Sequence, residues 1–168
     1  PRFPDADAPR TFEPGPTIRL TPEMSREQIR DYLESIRPTN PSADLAFYAF
    51  RDMARTDWAP FLKAAVERNP ASIKGTEGKS VEEIVALLES WPNESIYDGT
   101  RLAQPDEVWN FKRGDGLEKA ICLANILKAR EPGQAVRIEV SEGSARVTMG
   151  STTATWPSAK GLAVARQL

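Results

Sequence analysis

Apolar residues recur every three or four positions in four segments of the first half of the chain, at residues 29–36, 45–53, 61–66 and 81–88. This spacing is that of one face of an α-helix. Ser25 and Ser80 precede the first and last segments, each with a Gln or Glu three residues later, which is the capping-box pattern. Pro60 falls in the first turn of the third segment, where proline is tolerated. The pattern predicts four helices before residue 92.

A fifth segment, residues 116–130, is apolar on more than one side. Its apolar positions are Leu117, Ile121, Cys122, Leu123, Ala124, Ile126 and Leu127. Asp115 is placed to cap this helix, and Glu118 completes a capping-box pair with it. Residues 106–112 are interpreted as an extended segment that leads into a tight Gly-Asp-Gly turn. Because the apolar surface exceeds a single stripe, we predict a buried helix at the centre of the domain.

Three short runs follow the central helix, at residues 135–140, 145–149 and 152–156, and they have the composition of strands. Ser141-Glu142-Gly143 and Gly150-Ser151 have the composition of hairpin turns. The closing run, residues 159–164, fits either a helix or an edge strand. Helices first and a meander of strands last predict an α+β fold, with N-terminal helices, a central buried helix and a small C-terminal antiparallel sheet.

Residues 1–20 contain five prolines, a density that favours an extended linker or arm over a helix. We predict one α+β domain over residues 21–168, with a helical part at 21–92 and the central helix and sheet at 105–168. The chain begins at Pro1 without an initiator methionine, which suggests a fragment of a larger protein.

Composition narrows the classes of partner. There are 22 Lys and Arg residues against 24 Asp and Glu, for a net charge of −2, which gives no electrostatic argument for a nucleic acid or an anionic membrane. No apolar run approaches the ~20 residues of a membrane span. The chain has no histidine and one cysteine, Cys122, which we interpret as a buried structural residue. No metal site and no cofactor are predicted.

The segment Arg113-Gly114-Asp115-Gly116, followed by the run from Ala120 to Ala129, resembles the nucleophile segment of transglutaminase-like proteins of the papain-like superfamily. In that family an Arg/Lys-x-Gly-Asp-Cys turn places a cysteine at the start of a central helix. A strand with an Arg-hydrophobic pattern follows, and residues 135–140 fit it. The resemblance covers residues 95–157 and implies a transglutaminase-like core.

The chain departs from the family at each catalytic position. Gly116 stands where the family has its nucleophilic cysteine, histidine is absent, and no acid follows Trp156 where the third catalytic residue is expected. Cysteine catalysis needs a thiolate and a neighbouring base. The resemblance therefore implies an inactive member that acts as a binding module within a larger protein, with a protein or peptide partner or neighbouring domains in a cleft between the central helix and the sheet.

Six residues of this part of the chain are candidates for binding. They are Trp109, Arg113, Asp115, Gly116, Arg137 and Arg146. The four tryptophans could form a stacking surface for a sugar or a peptide, but packing in the core or at helix ends is the favoured interpretation. The turn at 114–116 is likewise interpreted as structural rather than as an anion cradle.

An alternative function uses the acids around the Gly114–Gly116 turn. A hydrolase or lyase with two carboxylates several ångströms apart needs neither thiol nor imidazole. The competing interpretation is that Asp115 and Glu118 cap the helix while Asp106 and Glu107 are solvated. A third hypothesis is a purely structural helical module whose family resemblance is accidental.

Overall fold

Residues 15–168 are described by the structure, a computed structural model, and they form seven α-helices and a four-stranded antiparallel sheet. The predicted α+β fold is confirmed. Of the predicted linker, residues 1–14 lie outside the described residues, and residues 15–20 form neither helix nor strand. The described residues divide into two compact units, 15–50 and 51–168. The single domain over 21–168 stays a prediction.

The first unit contains α1 (Arg26–Ile36), a 3-10 turn (Arg37–Thr39) and α2 (Pro41–Phe50). The capping box of Ser25 and Gln28 is present, as predicted. The buried side of α2 consists of Ala43 and Phe47, whereas Leu45, which the sequence placed on the apolar face, is 63% exposed.

The second unit begins with five helices: α3 (Trp58–Glu67), α4 (Pro70–Gly75), α5 (Val81–Ser90), α6 (Pro105–Phe111) and α7 (Gly116–Arg130). The predicted capping boxes at Ser80 and Asp115 are both present. Every residue of α7 from Gly116 to Leu127 is buried, which confirms the buried central helix.

Two of these helices, α4 and α6, were not predicted, and the extended segment predicted at 106–112 is wrong. Both helices are short, and each begins with a proline: α4 with Pro70 and α6 with Pro105. Proline is favoured at the first helical position because its missing N–H would have no partner there.

The sheet comprises β1 (Arg137–Ser141), β2 (Ser144–Met149), β3 (Thr152–Pro157) and β4 (Val164–Gln167), in the order β3-β2-β1-β4. The predicted hairpins join β1 to β2 and β2 to β3. Of the closing run, residues 159–163 form neither helix nor strand, and only Val164 belongs to the edge strand β4, which continues to Gln167. Helix α7 packs against β1, β2 and β3. None of the described helices is long and apolar enough to cross a membrane.

Candidate functional site

Gly116, the position that the resemblance assigns to a nucleophile, is closed. A Cβ atom built on Gly116 would lie 2.1 Å from the carbonyl oxygen of Pro157 and 2.8 Å from the Cβ of Trp156. The start of α7 therefore touches the end of β3 directly, and no side chain fits between them. The cleft predicted over Gly116 is wrong at this position, because backbone atoms of β3 fill the space where a thiol would lie.

Asp115 uses both of its carboxylate oxygens as acceptors. One accepts from the backbone N–H of Leu117 at 2.9 Å and from the Ser158 hydroxyl at 2.6 Å, and the other accepts from the N–H of Ala159 at 2.7 Å. The carboxylate thus caps α7 and also holds the chain that leaves β3. The capping role predicted for this residue is confirmed.

Glu118 is fully buried and equally engaged. Its carboxylate accepts from the N–H of Asp115 at 2.9 Å, from the N–H of Ala103 at 2.8 Å and from the Ser95 hydroxyl at 2.7 Å. Lys160, which is 6% exposed, places its ammonium group 3.6 Å from the same carboxylate. Lys160 also donates to the Ser95 hydroxyl and to the carbonyls of Tyr97 and Arg101.

This buried ion pair fastens the loop between α5 and α6 to the start of α7. Sequence reasoning missed Lys160, because nothing in the closing run separates a buried lysine from an exposed one.

The carboxylates of Asp115 and Glu118 each accept several hydrogen bonds in a closed site. The carboxylate-dependent hydrolase or lyase stays a prediction without support from this geometry.

Asp106 and Glu107 are half-buried and both have partners within the protein, so they are more than solvated surface acids. Asp106 accepts from the N–H groups of Ala71 and Ser72, at 2.9 and 2.8 Å, and from the Ser72 hydroxyl at 2.8 Å. It therefore caps the short helix α4. Glu107 pairs with Arg51 and accepts from the Tyr97 hydroxyl at 2.6 Å.

The electrostatics of Glu107 follow from these partners. Burial alone raises the pKa of the carboxyl group, but the Arg51 guanidinium and the other donors outweigh it, so the pKa lies below its ordinary value. Glu107 is thus held ionised as part of the contact between α6 and residue 51. Both acids of this pair have structural partners, which the sequence could not reveal because the partners are distant along the chain.

Trp109 and Arg113 have structural contacts. Trp109 packs edge-to-face on Trp91, with ring centroids 5.4 Å apart, and covers Gly75 so closely that a Cβ there would lie 2.1 Å from its ring. Arg113 pairs with the carboxylate of Glu94 at 2.6 Å and donates to its backbone carbonyl. The packing interpretation is confirmed for Trp109.

Arg137 and Arg146 are not brought together with Gly116. Both are exposed, and they alternate with the buried Ile138 and Val147. Since successive side chains of a strand point to opposite faces, the two arginines lie on the face of the sheet that is turned away from α7. Arg137 pairs there with Glu139 at 2.7 Å.

Cys122 is fully buried inside α7, which confirms that interpretation. Burial raises the pKa of its thiol. Within residues 15–168, no group of three or more His, Cys, Asp and Glu side chains is arranged to hold a metal ion.

A different part of the surface contains a shallow depression that is open to solvent. It is a groove between α3 and the edge strand β4, hereafter the α3–β4 groove, made of two adjoining cavities of about 410 and 240 Å³. The first is lined by Trp58, Val140, Ala163, Val164, Ala165 and Arg166. The second is lined by Ala59, Leu62, Lys63, Val66, Lys128, Arg166, Gln167 and Leu168. Arg166 borders both cavities, and most of the other lining residues are apolar.

All charged residues that line the α3–β4 groove are positive: Lys63, Lys128 and Arg166. Lys128 donates to the carbonyls of Gln134 and Leu168, and Arg166 donates to the carbonyl of Ala165 at 2.9 Å. Across the part of the chain that the structure describes, Lys63 and Arg166 form no ion pair with an Asp or Glu side chain, whereas Lys128 is held by its two oxygen acceptors, one of which belongs to the last residue, Leu168. The groove therefore combines apolar cavities with the positive charges of Lys63 and Arg166, which no Asp or Glu side chain among residues 15–168 pairs with.

Sequence reasoning missed this groove. Trp58 entered the sequence analysis only as one of four tryptophans, and the ambiguous closing run, residues 159–164, ends where β4 begins. One signal was present: in the alternation of Val164, Arg166 and Leu168, an arginine occupies a position on the apolar side of a strand. The pairing of that side with α3 is a long-range contact and has no local signature.

Comparisons of the chain with protein-family models, curated proteins and solved structures found no match. The transglutaminase-like resemblance therefore rests on the quoted residues alone and stays a prediction.

Proposed function

We propose that this protein is a non-catalytic binding module that holds an acidic segment of a partner protein in the α3–β4 groove. The observation that carries the proposal is the charge of the groove: Lys63 and Arg166 line apolar cavities and form no ion pair with a described Asp or Glu side chain. An apolar ligand with carboxylates would bury its apolar groups and supply the missing negative charge.

Three features support binding over turnover. The sequence has no histidine, its one thiol is buried within α7, and the acids around the 114–116 turn are occupied as helix caps. General acid–base and nucleophilic mechanisms need a group that can reach a substrate. The proposal is independent of the transglutaminase-like ancestry, since the α3–β4 groove lies apart from Gly116.

A protein segment suits the groove better than a small carboxylate does. The two cavities flank Arg166, so a ligand that fills both must extend past the arginine on either side. A single small acid would reach the guanidinium but leave one cavity unfilled. An extended peptide has the required length and presents side chains at regular intervals.

The test is an equilibrium binding assay by fluorescence anisotropy, with labelled peptides of equal apolar content that are either acidic or basic. We expect acidic peptides alone to bind, and binding to weaken as salt rises from about 0.05 to about 0.5 M. The double variant Lys63→Glu/Arg166→Glu should abolish binding. The matched control Lys74→Glu/Lys79→Glu carries the same charge change outside the groove and should bind normally. Equal losses in both variants would refute the proposal.

A further inference from the structure

The outer edge of β4 carries backbone groups that no strand among residues 15–168 uses. Val136 and Leu168 exchange two backbone hydrogen bonds, at 3.2 and 2.8 Å, just beyond the paired residues of β1 and β4. Hydrogen-bonded pairs alternate along an antiparallel ladder, so Arg166 and Val164 also bond to β1. The N–H groups of Ala165 and Gln167 therefore point away from β1, toward the open edge of the sheet.

The side chains of β4 follow the same alternation. Val164, Arg166 and Leu168 lie opposite Val140, Ile138 and Val136, which are buried. The three β4 side chains thus share the face of the sheet that carries the core. Val164 lines the first cavity, Leu168 lines the second, and Arg166 stands between them and borders both.

From this register we infer that the acidic segment binds as a fifth strand along the outer edge of β4, with the side-chain pattern apolar-x-acidic-x-apolar. This inference rests on the proposed function of the α3–β4 groove. A strand added to β4 places alternate residues opposite Val164, Arg166 and Leu168. The outer two positions then face the cavities and require apolar side chains, while the central position faces the guanidinium and requires a carboxylate. The pattern is the same in either chain direction.

Arg166 has a distinct part in this mode of binding. Its guanidinium donates to the carbonyl of Ala165, which is one of the outward backbone groups of the edge. A charged residue placed in this way protects an open strand edge from unselective pairing. A ligand carboxylate offers the guanidinium a stronger acceptor and releases the Ala165 carbonyl for the incoming strand. A strand without a carboxylate leaves the Arg166 guanidinium bound to the Ala165 carbonyl, so that carbonyl cannot pair with the strand. The edge therefore selects acidic strands.

The first experiment compares two peptides of identical composition on the intact chain. Val-Thr-Glu-Thr-Val, flanked by Gly and Ser, presents both valines on the same face as the glutamate. Thr-Val-Glu-Val-Thr moves both valines to the opposite face. We expect the first peptide to bind at least about tenfold more tightly, since only it fills the cavities. Two N-methylated forms of the first peptide test the backbone pairing: one is methylated at the threonines, and the other at the valines and the glutamate. Binding should be abolished in the form whose methyl groups block the N–H groups that pair with β4.

The second experiment exchanges the charges. In Arg166→Glu the Val-Thr-Glu-Thr-Val peptide should bind about threefold to tenfold more weakly, and the Val-Thr-Lys-Thr-Val peptide should gain by a similar factor. Arg146→Glu, on the other face of the sheet, should leave both affinities unchanged.

The outcomes separate this inference from the proposed function. If both registers bind equally and neither N-methylated peptide is weakened, strand addition is wrong, although binding that still depends on Lys63 and Arg166 would leave the groove as the site. If no acidic peptide binds, both fail. A concentration-dependent dimer in sedimentation, lost in Arg166→Glu, would mean that a second copy of the chain occupies the edge and would also overturn the inference.

Discussion

Gly116 at the start of α7 lies directly against Pro157 at the end of β3, and a Cβ atom on residue 116 would lie 2.1 Å from the Pro157 carbonyl oxygen. The contact brings the capping residue Asp115 within reach of Ser158 and Ala159. The position that resembles a nucleophile site is therefore a packing contact. A glycine is required there by space and not by its backbone conformation.

Substitution of Gly116 by alanine should be costly. The new methyl group would overlap a backbone carbonyl, so α7 and β3 must separate, and we expect the free energy of unfolding to fall by about 3 kcal/mol. Gly133→Ala is the matched control, because nothing lies within 4 Å of a Cβ built there, and it should stay within about 0.5 kcal/mol of wild type. Urea unfolding followed by circular dichroism measures both. Equal stabilities would show that α7 does not contact β3 as described.

Lys160→Met should destabilise the second unit by about 3–5 kcal/mol. The substitution leaves the carboxylate of Glu118 buried without its cation, and removal of one partner of a buried ion pair is far more costly than loss of an exposed pair. Lys79→Met removes an exposed lysine and should change the stability by less than about 0.5 kcal/mol. A Lys160→Met variant as stable as the control would contradict the role assigned to this pair.

Glu107→Gln should lower the free energy of unfolding at neutral pH, and this loss should become smaller as the pH falls. Burial raises and the Arg51 guanidinium lowers the pKa of Glu107, with a net decrease. A group whose pKa is lower in the folded state stabilises the fold above its unfolded pKa of about 4.3, and this contribution is lost as the pH falls through the folded value. The difference in unfolding free energy between wild type and variant should therefore narrow between about pH 7 and about pH 3. A constant or widening difference would contradict the ion pair.

Cys122 should be inert in the folded protein. Burial keeps the thiol protonated and out of reach of reagents, so a disulfide reagent such as Ellman's should react with it only on unfolding. The measurement compares labelling in buffer and in concentrated urea, where one thiol per chain should appear. Rapid labelling of the folded protein would mean that α7 is exposed or opens readily.

The features that the sequence predicted are those with local signals. The capping boxes at Ser25, Ser80 and Asp115 fixed where three helices start, and the apolar excess of residues 117–127 marked the buried helix. The features that it did not predict depend on distant partners. The buried Lys160 has the local sequence of a surface lysine.

The candidate site was misplaced for the same reason. The Arg-Gly-Asp-Gly turn drew attention to Gly116, but the space around that residue is decided by Pro157, which follows 41 positions later. The α3–β4 groove joins a helix that begins at residue 58 to a strand that begins at residue 164. No pattern within either segment indicates that the two are neighbours. The one local signal is Arg166, which occupies an apolar position in the alternation of apolar and polar residues along β4.

The most direct test of the groove is a nuclear magnetic resonance titration of the uniformly ¹⁵N-labelled chain with the Val-Thr-Glu-Thr-Val peptide. We expect the amide signals of Lys63, Ala165 and Gln167 to shift together and saturably, while those of Arg113 and Gly116 remain in place. Shifts centred on residues 113–116, or no shifts at any peptide concentration, would contradict the assignment of the α3–β4 groove as the binding site.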